Sequence, residues 1–160
     1  MIIFINGSIN AGKTTVAKIL VTKLSKAALV EIDSFRDMIS WMPLDQSIEI
    51  NLENAVSVIR NFSTRKLDVI IPYPLSQKNY EYLIENLKDI NIKTYFFTLA
   101  PSLEKVIVDR GNRKLSELEI ERIKHHYNIG IPKPIFGEII DNSEQTPDET
   151  ADIILSKTSL

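Results

Sequence analysis

Gly7-Ser8-Ile9-Asn10-Ala11-Gly12-Lys13-Thr14 is the stretch on which the reading of this chain turns. It matches the pattern G-x-x-x-x-G-K-[ST], and its setting carries more weight than the match itself. A continuous apolar run, Ile-Ile-Phe-Ile at 2–5, precedes it. A stretch at 14–26 follows, with Val16, Ile19, Leu20 and Leu24 at helical spacing. A glycine turn between a buried strand and a helix start presents successive backbone N–H groups to one concavity, and such a concavity binds anions. Glycine lets the backbone approach the anion without a side chain in the way. The expected cradle is Gly7, Ser8, Asn10, Ala11, Gly12, Lys13, Thr14 and Thr15 around the phosphates of a nucleoside triphosphate. Lys13 is placed to reach the β- and γ-phosphates, and the Thr14 hydroxyl to ligate Mg²⁺.

Outward from the loop, apolar runs alternate with amphipathic stretches along the whole chain. Strands are predicted at 2–5, 28–32, 69–71 and 94–99, with a short fifth at 139–140. Helices are predicted at 14–26, 47–62 and 76–90, then from about Pro101 through 108. Two capping boxes open later helices: Ser116 with Glu119, and Thr146 with Glu149. Strand–helix alternation predicts one parallel sheet with helices on both faces. With the loop, it predicts a three-layer P-loop NTPase fold of roughly five parallel strands over residues 1–160, in one domain with a short lid at about 109–118. Ligands of such sheets bind beyond the carboxyl ends of the strands.

Composition narrows the chemistry. The chain has no cysteine, so disulfides, thiolate catalysis and cysteine-based zinc sites are excluded. Nineteen Lys and Arg against 21 Asp and Glu leave −2, which counts against a long nucleic acid as partner. No apolar run reaches the roughly 18 residues of a membrane span, and the loop begins too early for a cleavable signal. A cytoplasmic protein with no membrane partner is the expectation. Apolar helix faces serve core and interface alike, so oligomeric state stays open.

The end of the second strand carries the next chemical signal, Glu31-Ile32-Asp33-Ser34-Phe35-Arg36. A carboxylate facing the phosphate loop can take a hydroxyl proton as that oxygen attacks the γ-phosphate, the role expected of Asp33. Arg36, one helical turn on, is placed to hold an acceptor, beside Ser34. As a helix cap and a solvated charge the same two residues would carry no chemistry. Trp41 and Tyr73, with Met38, offer flat or apolar walls to an acceptor, or merely loop packing. His125 and His126 are adjacent and point about 100° apart on a helix, so they form no metal pair and read as surface histidines at a helix end. No Asn/Thr-Lys-x-Asp guanine-reading motif is present, which counts against a GTPase.

Residues 7–15, Asp33-Ser34-Phe35 and Trp41-Met42-Pro43 resemble small P-loop phosphotransferases of the adenylate-kinase-like group. The look is above all that of chloramphenicol phosphotransferase-like proteins, which are also similar to shikimate kinase and to polynucleotide 5′-hydroxyl kinase. The resemblance covers most of the chain in element order, and the specific motifs about a fifth of it. It implies that Asp33 is the base for a substrate hydroxyl. It implies a lid after the fourth strand, in which Arg110 and Arg113 close over ATP and Gly111 serves as hinge. It implies that adenine packs near 142–146, against the backbone. The chain departs from the wider pattern in two respects. The third strand ends Val69-Ile70-Ile71-Pro72 with no carboxylate to help hold Mg²⁺, and Asp68 stands at the wrong end. The glycine cluster and paired aspartates of shikimate kinases are missing, which argues against shikimate.

These features predict a kinase that moves the γ-phosphate of ATP, with Mg²⁺, to an alcohol hydroxyl of a small acceptor. Lys13, Asp33, Arg110 and Arg113 would be catalytic. Alternatives are a nucleoside or polynucleotide 5′-hydroxyl kinase, and an ATP-binding regulatory protein that transfers slowly or not at all. The missing third-strand carboxylate favours the last.

Overall fold

The computed structural model describes residues 1–109 and 114–158. Its elements follow in the order β1 (Ile2–Gly7), α1 (Lys13–Lys23), β2 (Ala27–Leu29), α2 (Asp33–Asp37), α3 (Leu44–Thr64), β3 (Asp68–Pro72), α4 (Gln77–Leu87), β4 (Thr94–Leu99), α5 (Leu103–Val106), α6 (Glu117–Asn128), β5 (Glu138–Ile140) and α7 (Pro147–Thr158). All five strands are parallel, in the order β2-β3-β1-β4-β5. β1, flanked on both sides and covered on both faces, is buried along its whole length, which is why it reads as a continuous apolar run.

Alternation along the strands sends side chains to two cores. Ile2, Phe4, Val69 and Ile71 pack with Leu52, Ala55, Ile59 and Leu83 of α3 and α4. Ile3, Ile5, Ile70 and Phe97 pack with Val16, Leu20, Ala151 and Ile154 of α1 and α7. The three expected layers are therefore present. Both capping boxes form: Ser116 and Glu119 exchange bonds with each other's backbone, and Thr146 and Glu149 do the same around Pro147.

The differences lie at element ends. β2 is three residues long and stops before Val30, so Asp33 belongs to a short helix and not to a strand end. β1 continues through Asn6 and Gly7, paired with Thr98 and Leu99. α6 begins at Glu117, so the helix takes the last residues of the expected lid range. Asp68, at the start of β3, accepts from the Met1 amino group at 2.6 Å, far from the phosphate loop. The chain leaves β1 toward β2 and leaves β4 toward β5. These neighbouring strands thus part at their carboxyl ends and open a crevice there.

Candidate active site

The crevice is built on Asn6, a fully buried amide at the end of β1. Its Nδ2 donates to Thr98 Oγ1 at 3.0 Å and to the Ile131 carbonyl at 3.2 Å, and its Oδ1 accepts from Leu75 N–H at 2.7 Å. One side chain thereby ties β4, the segment after α6 and the segment after β3 around the strand ends. Gly7 follows at φ +141. A Cβ there would lie 2.6 Å from the Leu99 carbonyl oxygen, so the turn off the strand admits no side chain. Gly12 caps α1 at φ +94, again left-handed.

Between them the loop wraps inward on Ser8, whose side chain is fully buried. The Ser8 carbonyl accepts from Ala11 N–H at 3.3 Å and from Lys13 Nζ at 2.8 Å, so the lysine folds back over the loop. Asn10, at φ +63, donates from Nδ2 to the Val106 and Val108 carbonyls at 2.9 and 3.1 Å, fastening the loop to the end of α5. Asn142, buried after β5, donates from Nδ2 to the Ala11 carbonyl at 3.1 Å. Its Oδ1 is buried with no hydrogen-bond partner.

A cleft of about 400 Å³ opens over this loop. Among the described residues its walls include Asn10, Gly12, Lys13, Thr14, Thr15, Asp33, Pro72, Asn142, Gln145 and Pro147. Asp33, the first residue of α2, thus shares one space with Lys13 and Thr14. It is open to water on one side, yet the protein around it removes enough solvent to raise its pKa. Lys13, Arg122 and Arg36 pull the other way, and Glu31 adds to the rise. The net result is a carboxylate that is a stronger base than a free aspartate while still facing the loop lysine. Ser34 is exposed and Arg36 half-buried one turn on, where Arg36 acts on Asp33 electrostatically.

Two expectations need correction, and one alternative reading falls away. Tyr73 does not wall a pocket with Trp41 and Met38. It is 7% exposed and belongs to the core, because its backbone continues the β3 pairing and turns the ring inward, whereas Met38 and Trp41 stand about four-fifths exposed at 78% and 79%. Burial, then Asp33, pushes the Tyr73 hydroxyl up to about 12, so its phenol stays a proton donor near Asp33. His126 is not a surface residue. It is half-buried, with Nδ1 3.2 Å from Ser8 Oγ, while His125 is exposed as expected. Asp33 is not a helix cap, since Ile32 occupies that position with no side-chain bond. Arg110, Gly111 and Arg113 lie outside the described residues.

Asn6, Arg122 and His126 were not read from sequence as site residues, whereas Gln145 falls in the 142–146 segment expected near adenine. Only Arg122 and His126 left a signal, four apart on one face of α6. No group of three His, Asp or Glu able to hold a metal exists among the described residues. Thr14 and Asp33, in one cleft with the loop, fit a Mg²⁺ that arrives on phosphates and keeps waters, not one caged by protein.

No protein-family model matches the sequence, and no curated protein matches it. Solved structures do. The tunicamycin resistance protein of Deinococcus radiodurans is 19% identical, with 99% of this chain and 95% of that one covered and a TM-score of 0.73. A sugar kinase from Janibacter sp. is 17% identical, with 99% and 94% covered and a TM-score of 0.75. The APS kinase CysC of Mycobacterium tuberculosis, solved with AMPPNP and APS, is 16% identical, with 99% and 97% covered and a TM-score of 0.74. The chain has the fold of these P-loop kinases, a five-stranded parallel sheet with helices on both faces and a phosphate loop at the end of its first strand.

Proposed function

We propose that this protein is an ATP-dependent phosphotransferase that moves the γ-phosphate of ATP to an alcohol hydroxyl of a small molecule. The observation that carries the reading is the shared cleft of Asp33, Lys13 and Thr14, with the aspartate raised as a base yet coupled to the loop lysine. The names of the structural neighbours, a sugar kinase and an APS kinase solved with an ATP analogue and APS, support it.

In this mechanism the backbone of residues 7–15 and the α1 N-terminus receive the triphosphate, and Lys13 leaves the Ser8 carbonyl to contact the β- and γ-oxygens. Asp33 accepts the proton of the acceptor hydroxyl. That oxygen bonds to the γ-phosphorus as the bond to the bridging oxygen breaks, and ADP leaves. Lys13 balances charge on the transferring oxygens, with Arg110 and Arg113 assigned the same task from sequence alone. Thr14 would hold Mg²⁺, with Asp33 reaching it through water, and the bound ion would supply neutralisation of phosphate charge. Ser34 and Arg36, beside Asp33 in sequence, are assigned to the acceptor side in this reading. Trp41, exposed on the same segment, joins them as an acceptor contact.

A second reading, an ATP-binding regulatory protein without transfer, is favoured by one observation: β3 brings no carboxylate to the cleft. The test is incubation with Mg²⁺ and γ-labelled ATP against nucleosides, sugars, hydroxylated antibiotics and a 5′-hydroxyl oligonucleotide, with Lys13→Ala as blank. Label on a small alcohol supports the proposal. Label on the oligonucleotide alone makes it a polynucleotide kinase. Bound ATP with no label on any acceptor supports the regulatory reading.

A further inference from the structure

His126 reaches the phosphate loop from a helix 118 residues away in sequence, and nothing in the mechanism above uses it. Its Nδ1 meets Ser8 Oγ, and Ser8 is the pivot of the loop, since its carbonyl also holds Lys13 Nζ and Ala11 N–H. A rotatable hydroxyl can donate to a neutral imidazole or accept from a protonated one, so the contact survives a change of charge. We propose that His126 is a positioning residue which, through the Ser8 hydroxyl, holds the loop and takes up a proton when the phosphates of the nucleotide bind. The inference rests on the nucleotide reading given above.

The electrostatics agree with the geometry. Burial is the largest cause that lowers His126, to about 4, followed by Lys13 of α1 and by Arg122 and His125 of its own helix. The α6 C-terminus favours a cation, and these effects outweigh it. The two strongest charges acting on the imidazole, Lys13 and Arg122, are cations that a polyphosphate would offset. Phosphates bound at the loop offset this cationic repulsion while burial still acts, and an anion within a few ångströms raises a pKa by about 1–3 units. By linkage, an imidazole that protonates more readily in the complex also tightens binding as pH falls toward 5.

The test is a histidine ring NMR titration between pH 4 and 8, free and saturated with the Mg²⁺ complex of β,γ-methylene ATP. His125 serves as an exposed internal reference. The expected result is an upward move of the His126 pKa by about one unit or more, well beyond that of His125. An unmoved His126 with the analogue bound overturns the inference and leaves the nucleotide reading standing. No binding of the analogue at any pH overturns both. Calorimetry at pH 5 in buffers of different ionisation enthalpy gives a second reading. Proton uptake should be present in the wild type and lost in His126→Asn, which keeps a polar partner for Ser8, and equal uptake in the two proteins overturns the inference.

Discussion

Replacing Asn6 by leucine should cost about 3–5 kcal/mol, because one near-isosteric change removes three hydrogen bonds from a site that water cannot enter. Asn6 is fully buried and bonds Thr98 Oγ1, the Ile131 carbonyl and Leu75 N–H. Each bond contributes about 0.5–1.5 kcal/mol net, and each buried group left unpaired costs about 1–3 kcal/mol. The Thr98 hydroxyl can turn to another acceptor, whereas the Leu75 N–H and Ile131 carbonyl are fixed by the backbone, and these two unpaired groups alone amount to about 2–6 kcal/mol, which brackets the range given. That is a large share of the roughly 5–15 kcal/mol that holds a domain folded. Urea unfolding measures it directly. With m of about 1–3 kcal/mol per molar, the midpoint should fall by more than 1 M with m unchanged. Asn6→Asp is the companion, since it keeps an acceptor for Leu75 N–H but sets a buried carboxylate against the Ile131 carbonyl. Its folded pKa is raised, so its deficit should be largest at neutral pH and shrink as pH falls. A loss below about 1 kcal/mol for Asn6→Leu would refute the assignment of Asn6 as the tie between the three segments.

Gly7→Ala places a Cβ 2.6 Å from the Leu99 carbonyl oxygen at φ +141, so it should cost about 1–3 kcal/mol and weaken Mg-ATP binding more than tenfold, read by thermal melting and titration. Lys13→Ala should lower Mg-ATP affinity about 10- to 100-fold, the value of a lost charge-assisted contact, measured by calorimetry. Asp33→Asn should raise the melting temperature of the nucleotide-free protein at pH 7.5. Its folded pKa is raised, so the ionised carboxylate opposes folding above both pKa values, and the gain should vanish below about pH 4, where Asp33 is neutral folded and unfolded alike.

The parts of the fold that local pattern controls were legible in the sequence. Residues 2–5 read as a buried strand because both faces of β1 are covered, and residues 7–14 as a phosphate loop because the glycines and Lys13 fall in one short window. The capping boxes at Ser116 and Thr146 are likewise contained within four residues. What escaped the sequence was built by distant partners. Asn6 looks like the polar end of an apolar run, and its value comes from Leu75, Thr98 and Ile131, up to 125 residues away. His126 reads as a surface histidine at a helix end, and only packing brings Ser8 to it. Tyr73 follows a three-residue apolar strand signal and a proline, so it resembles loop, yet pairing beside β1 carries it into the core. Asp33 was singled out by its residue type after the second strand, although the short helix that carries it was not foreseen.

The most direct measurement of the central claim is turnover and Mg-ATP affinity of Asp33→Asn with the acceptor that takes the label. Asn removes the proton acceptor while nearly preserving shape, and the phosphates rest on residues 7–15. The expected result is a fall in kcat of at least about 100-fold, the usual range of general-base catalysis, with affinity for Mg-ATP within a few-fold of wild type. Near-normal turnover would contradict the claim that Asp33 faces the phosphate loop as the base of this site.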